Sequence, residues 1–254
     1  MKNIFILADF DHTITSIDSK SSWEVVSKGE KLPKEYEKKC SELYKKYSNY
    51  EVDPNIDFQI KKQIVEKWYQ THFDLMVEYK IDKQTVDKLS KNKNSMTLKK
   101  GTKELFEYTK KKKIPFIIIS AGIKNVIEDF LESNEILYDN IHIIANEINY
   151  SNEKVVSLKN KLIHALNKND KEIINQINKI TKKRDLAIMI GDNPDDPKMI
   201  PKDKKSIKCG FLNDKKLKKS FEKSYDIILK PNETLKKIIE IIENKWRKSH
   251  FFIK

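Results

Sequence analysis

Short apolar runs recur along the chain, each stopped by turn-forming residues: 3–8, 114–120, 141–145, 185–190, 206–210 and 226–229. Runs of this length with no polar face predict strands buried on both sides of a parallel sheet. Between them, residues 102–111, 124–131 and 170–180 repeat apolar positions at helical spacing. Leu235, Ile238, Ile239, Ile242 and Trp246 mark one face of a C-terminal helix expected to open at Pro231. This alternation predicts an α/β fold built on a doubly wound, mostly parallel, Rossmann-like sheet.

Residues 17–98 break the rhythm, because no convincing strand falls there. Tyr36, Cys40, Leu43 and Tyr47 follow Pro33 at helical spacing, and Ile60, Ile64, Trp68, Leu75 and Tyr79 do the same within 57–80. We therefore expect a helical cap domain, 17–98, inserted after the first strand, with 1–16 and 99–254 forming an α/β catalytic core. A cap at that point would lie over the C-terminal ends of the strands, where open α/β sheets bind ligands.

Composition adjusts this picture in few respects. At 254 residues, 38% hydrophobic and 35% charged, the chain can bury a substantial core beneath a heavily solvated surface. A net charge of +13 raises nucleic acid or an anionic membrane as partners. Yet Arg184 and Arg247 are its only arginines, and proteins that read phosphates or bases usually need arginine's planar fork. Lysine travelling with abundant Ile and Asn fits a coding bias, so the basic surface is read as solvated and attractive to small anions. Cys40 and Cys209 are too few and too far apart for a disulfide scaffold or a zinc site. Five apolar residues before Asp9 are too short for a secretory segment, and no run approaches a membrane span. Cytoplasmic location and no membrane partner are expected; the oligomeric state stays open.

The candidate chemistry lies where the apolar runs stop. Asp9 and Asp11 end the first strand and point the same way, since side chains alternate with period 2. Like charges held that close resist burial unless a cation sits between them. The economical explanation is Mg²⁺-dependent phosphoryl transfer, with Asp9 as nucleophile, Asp11 as general acid and base, and Thr13 in support. Ser120-Ala121-Gly122 ends the second strand, where Gly122 lets the backbone approach an anion. Lys168 could neutralise the transferring phosphoryl group. Gly191-Asp192 ends the fourth strand, so Asp192 would complete the shell of a hard, oxygen-seeking ion and Asp196 could orient Lys168 or a bound water.

In this order and spacing the four motifs resemble the haloacid dehalogenase superfamily of aspartate-nucleophile phosphohydrolases. More narrowly, the chain resembles the cytosolic pyrimidine 5′-nucleotidase (type III) family. That resemblance is carried by Glu51-Val52-Asp53-Pro54, Trp68-Tyr69-Gln70-Thr71-His72, Ser120-Ala121-Gly122-Ile123, Leu162-Ile163-His164, Asn167-Lys168-Asn169-Asp170, Gly191-Asp192 and Gly210-Phe211-Leu212-Asn213-Asp214. It implies a nucleoside 5′-monophosphate substrate, pyrimidine such as CMP or UMP favoured, cleaved through an aspartyl-phosphate. Glu51 would contact the base with Thr71 near it, and His72 could stack on it. Ser120, Ala121 and Lys168 would bind phosphate. Mg²⁺ would be held by the Asp9 carboxylate, the Asp11 main-chain carbonyl and Asp192. Two positions depart from the family pattern: Asp195 stands where glycine is usual, and His12 where a hydrophobic residue is common.

Two rivals follow from the same residues. A phosphosugar or phosphoserine phosphatase would keep the chemistry and change the substrate. A nucleic-acid-binding protein would use the basic surface, although a carboxylate cluster repels polyanions.

Overall fold

Apolar strands without a polar face need helices on both sides, and the chain supplies them. The computed structural model describes residues 3–53 and 55–251. Strand β1 (Ile4–Ala8) leads into helices α1 (Ser22–Ser27), α2 (Lys34–Val52), α3 (Phe58–Glu78) and α4 (Lys83–Ser90). After these come α5 (Thr102–Lys111), β2 (Phe116–Ile123), α6 (Lys124–Ser133), β3 (Ile141–Asn146) and a hairpin of β4 (Ile148–Ser151) with β5 (Lys154–Leu158). Then follow α7 (Lys171–Thr181), β6 (Leu186–Gly191), β7 (Lys205–Phe211), α8 (Lys218–Ser224), β8 (Ile227–Leu229) and α9 (Lys236–Phe251).

Six of the described strands form one parallel sheet in the order β3-β2-β1-β6-β7-β8. The order reverses direction at β1, which places a ligand crevice beyond its C-terminal end. Period 2 sorts β1 between two cores. Ile4, Ile6 and Ala8 pack with Leu105, Phe106, Phe130 and Ile238 of α5, α6 and α9, whereas Phe5 and Leu7 pack with Ile173, Ile177 and Phe221 of α7 and α8. The expected doubly wound sheet is therefore the one observed.

Between β1 and α5 the chain is helical, as its spacing predicts. It leaves the sheet and returns at one joint: the Ser16 amide donates to Thr97 O at 2.8 Å and the Lys99 amide to Ile14 O at 2.9 Å. Val25, Tyr36, Phe73 and Val86 of the insertion belong to the same hydrophobic cluster as α5 and α6.

Two details differ from expectation. The last helix begins at Lys236, not at Pro231. Pro231 instead sits in a turn closed by the Glu233 amide on Lys230 O, and the Thr234 hydroxyl then caps the helix through the Lys236 amide. Pro54 and the side chain of Trp246 lie outside the described residues. The β4–β5 hairpin, absent from the sequence reading, turns at Asn152 and Glu153, both at positive φ, which is the geometry of a two-residue hairpin turn. Among the described residues, no helix is long and apolar enough to cross a membrane.

Candidate active site

The parallel register brings the ends of β1, β2 and β6 together. The Asp9 amide extends the β1–β6 ladder by donating to Ile190 O at 3.0 Å, so Asp9 sits beside Gly191-Asp192. Carboxylate oxygens of Asp9, Asp192 and Asp196 can all lie within 4.8 Å of one another. Lys168 enters from the loop before α7 and lies between two of them, its Nζ at 2.5 Å from Asp9 Oδ1 and 2.8 Å from Asp196 Oδ1. That loop is held by Asn167, which accepts from the His164 amide and donates to Leu162 O.

Asp196, which the sequence suggests could orient Lys168 or a bound water, meets Lys168 through one carboxylate oxygen. Its second oxygen accepts from the Asp192 and Asn193 amides at 3.1 and 3.0 Å. Gly191 permits this approach, since a Cβ there would collide with the Asp196 carboxylate. Asp192 is fixed through both oxygens, by the Thr13 hydroxyl at 3.3 Å and by Asn213 Nδ2 at 3.1 Å. Asp11 turns to α1, accepting from the Ser22 amide at 2.8 Å and the Ser22 hydroxyl at 2.9 Å.

Negative charge in this pocket is only partly compensated. Burial pushes the Asp9 carboxyl up to about 7 despite the Lys168 ammonium. Burial, then repulsion from Asp9 and Asp196, pushes Asp192 up to about 8. Asp11 is raised by burial and pulled back by its bonds to Ser22. Burial works against the Lys168 ammonium, yet Asp196 and Asp9 outweigh it and hold Lys168 above the ordinary lysine range. An all-oxygen donor set carrying excess negative charge fits a hard divalent cation such as Mg²⁺.

A cavity of about 500 Å³ opens over these groups, a size usual for small-molecule sites. Asp9, Asp11, Ser120, Ala121, Lys168, Asp192 and Asp196 line its floor, and Trp23, Tyr44, Glu51, Trp68, Tyr69 and His72 come from the insertion. Glu51 faces the Tyr69 hydroxyl at 3.4 Å, and burial pushes its carboxyl up to about 7 against the pull of Lys168. His72 lines the cavity with Nε2 3.3 Å from Cys40 O, its ring edge-on to Trp23 at 5.5 Å. Thr71 is not brought in: it is not among the lining residues, and its hydroxyl donates back to Lys67 O at 2.7 Å. The Ser120 hydroxyl accepts from the Gly122 amide at 2.9 Å, which shapes the cradle.

The two departures from the family pattern resolve differently. Asp195 pairs with Lys198 at 2.6 Å and does not line the cavity. His12 does line it, in a left-handed conformation at φ 60. Ser22, Trp23, Tyr69 and Asn213 are among the lining or supporting residues that the sequence does not mark as site residues. Asn213 lies two positions past β7, so the rule that ligands gather at strand C-terminal ends could have found it. Nothing in the local pattern marks Ser22 and Trp23.

Comparison with known proteins bears on the whole chain. Residues 12–245 match the family described as Pyrimidine 5′-nucleotidase (UMPH-1). A Gallus gallus protein named 7-methylguanosine phosphate-specific 5′-nucleotidase is 27% identical over 246 residues, covering 91% of this chain and 83% of its own length. The crystal structure of cytosolic 5′-nucleotidase IIIB bound to cytidine superposes with a TM-score of 0.84 at 22% identity, covering 99% of this chain and 88% of that one. A substrate-bound phosphoserine phosphatase shares the fold at a TM-score of 0.64 and 19% identity, over 95% of this chain and 98% of its own. Because the matched span takes in insertion and sheet alike, the chain belongs to the pyrimidine 5′-nucleotidase (UMPH-1) family.

Proposed function

We propose that the chain removes the 5′-phosphate of nucleoside monophosphates by way of an aspartyl-phosphate. The observation that carries this reading is the Asp9–Lys168–Asp196 chain at the floor of a cavity whose walls are aromatic. In it, an Asp9 carboxylate oxygen attacks phosphorus while the 5′ oxygen leaves with a proton from Asp11. Lys168 neutralises the phosphoryl oxygens, and Ser120 and the Ala121 backbone hold them. Asp11 then takes a proton from the water that attacks the phosphorus of the aspartyl-phosphate, which returns Asp9 and frees phosphate. Mg²⁺ held by Asp9, the Asp11 main-chain carbonyl and Asp192 would supply charge neutralisation at phosphorus.

Residues 17–98 act as the cap in this reading, and they supply the base site. Glu51 can accept from an exocyclic amino group such as that of cytosine. A second substrate, 7-methylguanosine 5′-monophosphate, is favoured by a specific observation. The methylated base carries positive charge, and the cavity lining supplies two aromatic rings, Trp23 and Tyr69 set edge to face, with the Glu51 carboxylate beside the Tyr69 hydroxyl. A relative's name points to the same nucleotide. Phosphoserine would leave those aromatic walls without a partner. The name of the structural relative supports a cytosolic setting.

Phosphate release across a panel of nucleotides, sugar phosphates and phosphoserine tests this. CMP and 7-methylguanosine 5′-monophosphate should lead, and Glu51→Ala should raise KM for both by about tenfold. Turnover confined to sugar phosphates or phosphoserine would overturn the reading.

A further inference from the structure

Ser22 lies behind the cavity wall, fully buried, and does not touch the space a substrate would fill. It nevertheless holds both oxygens of Asp11, its amide on Oδ1 at 2.8 Å and its hydroxyl on Oδ2 at 2.9 Å. Two donors from one residue fix the carboxyl plane, because neither torsion of the Asp11 side chain can turn without breaking one of the bonds. The hydroxyl's direction is fixed as well. The Ile123 amide, which can only donate, reaches Ser22 Oγ at 3.4 Å, so the Ser22 hydrogen is left to point at Asp11. The contact is close enough that a Cβ at Gly122 would overlap Ser22 Oγ. The next residue ties the same turn to the phosphate cradle: Trp23 Nε1 donates to Ala121 O at 2.9 Å.

We propose that Ser22 is a positioning residue for the proton-transfer step, aiming Asp11 at the leaving oxygen whenever α1 is docked on β2. This rests on the reading of Asp11 as general acid. Because Ser22 and Trp23 are consecutive, the turn that presents an aromatic wall to the base also sets the acid. Base contact and proton delivery are thereby coupled through one short helix.

The test uses leaving groups. An alkoxide such as a nucleoside 5′ oxygen needs a proton as it departs, whereas p-nitrophenolate departs as a stable anion. kcat/KM reports steps up to leaving-group release, so it isolates Asp11 as acid from its later work as base. Ser22→Ala should lower kcat/KM for CMP or 7-methylguanosine 5′-monophosphate by about tenfold to thirtyfold, and for p-nitrophenyl phosphate by less than about threefold. Ser22→Cys, whose thiol donates weakly, should fall between, with cytidine affinity unchanged in both variants. An equal fall on both substrates, or no fall on the nucleotide, overturns the proposal. Failure of the underlying reading is separately visible in the unsubstituted chain, as cleavage of p-nitrophenyl phosphate with no nucleotide hydrolysed, and overturns both.

Discussion

Lys168 is the side chain on which the site's electrostatics turn. It is buried and its ammonium bridges two buried carboxylates, so removing its charge leaves both without a cation. Breaking one partner of a buried ion pair costs about 3 kcal/mol or more. Lys168→Met should therefore lower unfolding free energy by about that amount in urea titrations with chelator present, and abolish phosphate release. At this scale the sequence was informative wherever two residues constrained each other. Gly191 with Asp192 carries geometry in its spacing. Asp9 with Asp11 does so only in part, because β1 stops at Ala8 and the Asp11 carboxylate turns to Ser22 while Asp9 joins Asp192 and Asp196. Single polar residues carry none, which is why nothing in the sequence assigns a role to Ser22 or Asn213. Thr71 shows the limit of carrying a role across by likeness. On a helix of 3.6 residues per turn, Tyr69 and His72 share a face, and Thr71 falls about 200° round from Tyr69.

Among the elements, the strands of the sheet and helices α5, α6 and α7 could be read from periodicity, whereas α8, in which Phe221 is the one buried residue, carries no such pattern. The β4–β5 hairpin could not be read either. It pairs with no strand of the main sheet and alternates polar with apolar, as in Ile148, Asn149 and Tyr150. Its turn is also atypical, since Glu153 occupies a left-handed position at φ 60 that glycine usually takes. Glu153→Gly should relieve that conformation and stabilise the chain by about 0.5 kcal/mol in chemical denaturation, with activity unchanged. The Pro231 error had a similar cause: proline is favoured both at a first helical position and in a turn, and Asn232 after it favours the turn.

For the whole molecule, acid stability has a specific contributor in His164. It is fully buried with Nε2 unpartnered, and it faces Lys62 on α3, Asp170 and Lys161 on its own loop, and the Tyr69 ring at 6.2 Å. Burial pulls its imidazolium down from 6.5 to about 4, with the Lys62 charge adding and Asp170 opposing. A depressed folded-state value means the unfolded chain takes the proton first. Stability from this group is present above pH 6.5 and lost as pH falls toward 4, about 3 kcal/mol in all. The buried Asp9 and Asp192 carboxyls, raised in the fold, shift stability the other way. The difference between the unsubstituted chain and His164→Gln in urea midpoints from pH 7 to 4.5 isolates the histidine and should narrow across that window.

The decisive measurement is release of inorganic phosphate from CMP and 7-methylguanosine 5′-monophosphate by the unsubstituted chain and by Asp9→Asn, each with Mg²⁺ and with chelator. A nucleophilic Asp9 among cation-binding carboxylates predicts release that requires the metal and falls by about a thousandfold or more in Asp9→Asn. Undiminished release by Asp9→Asn, or equal release in chelator, would contradict the account.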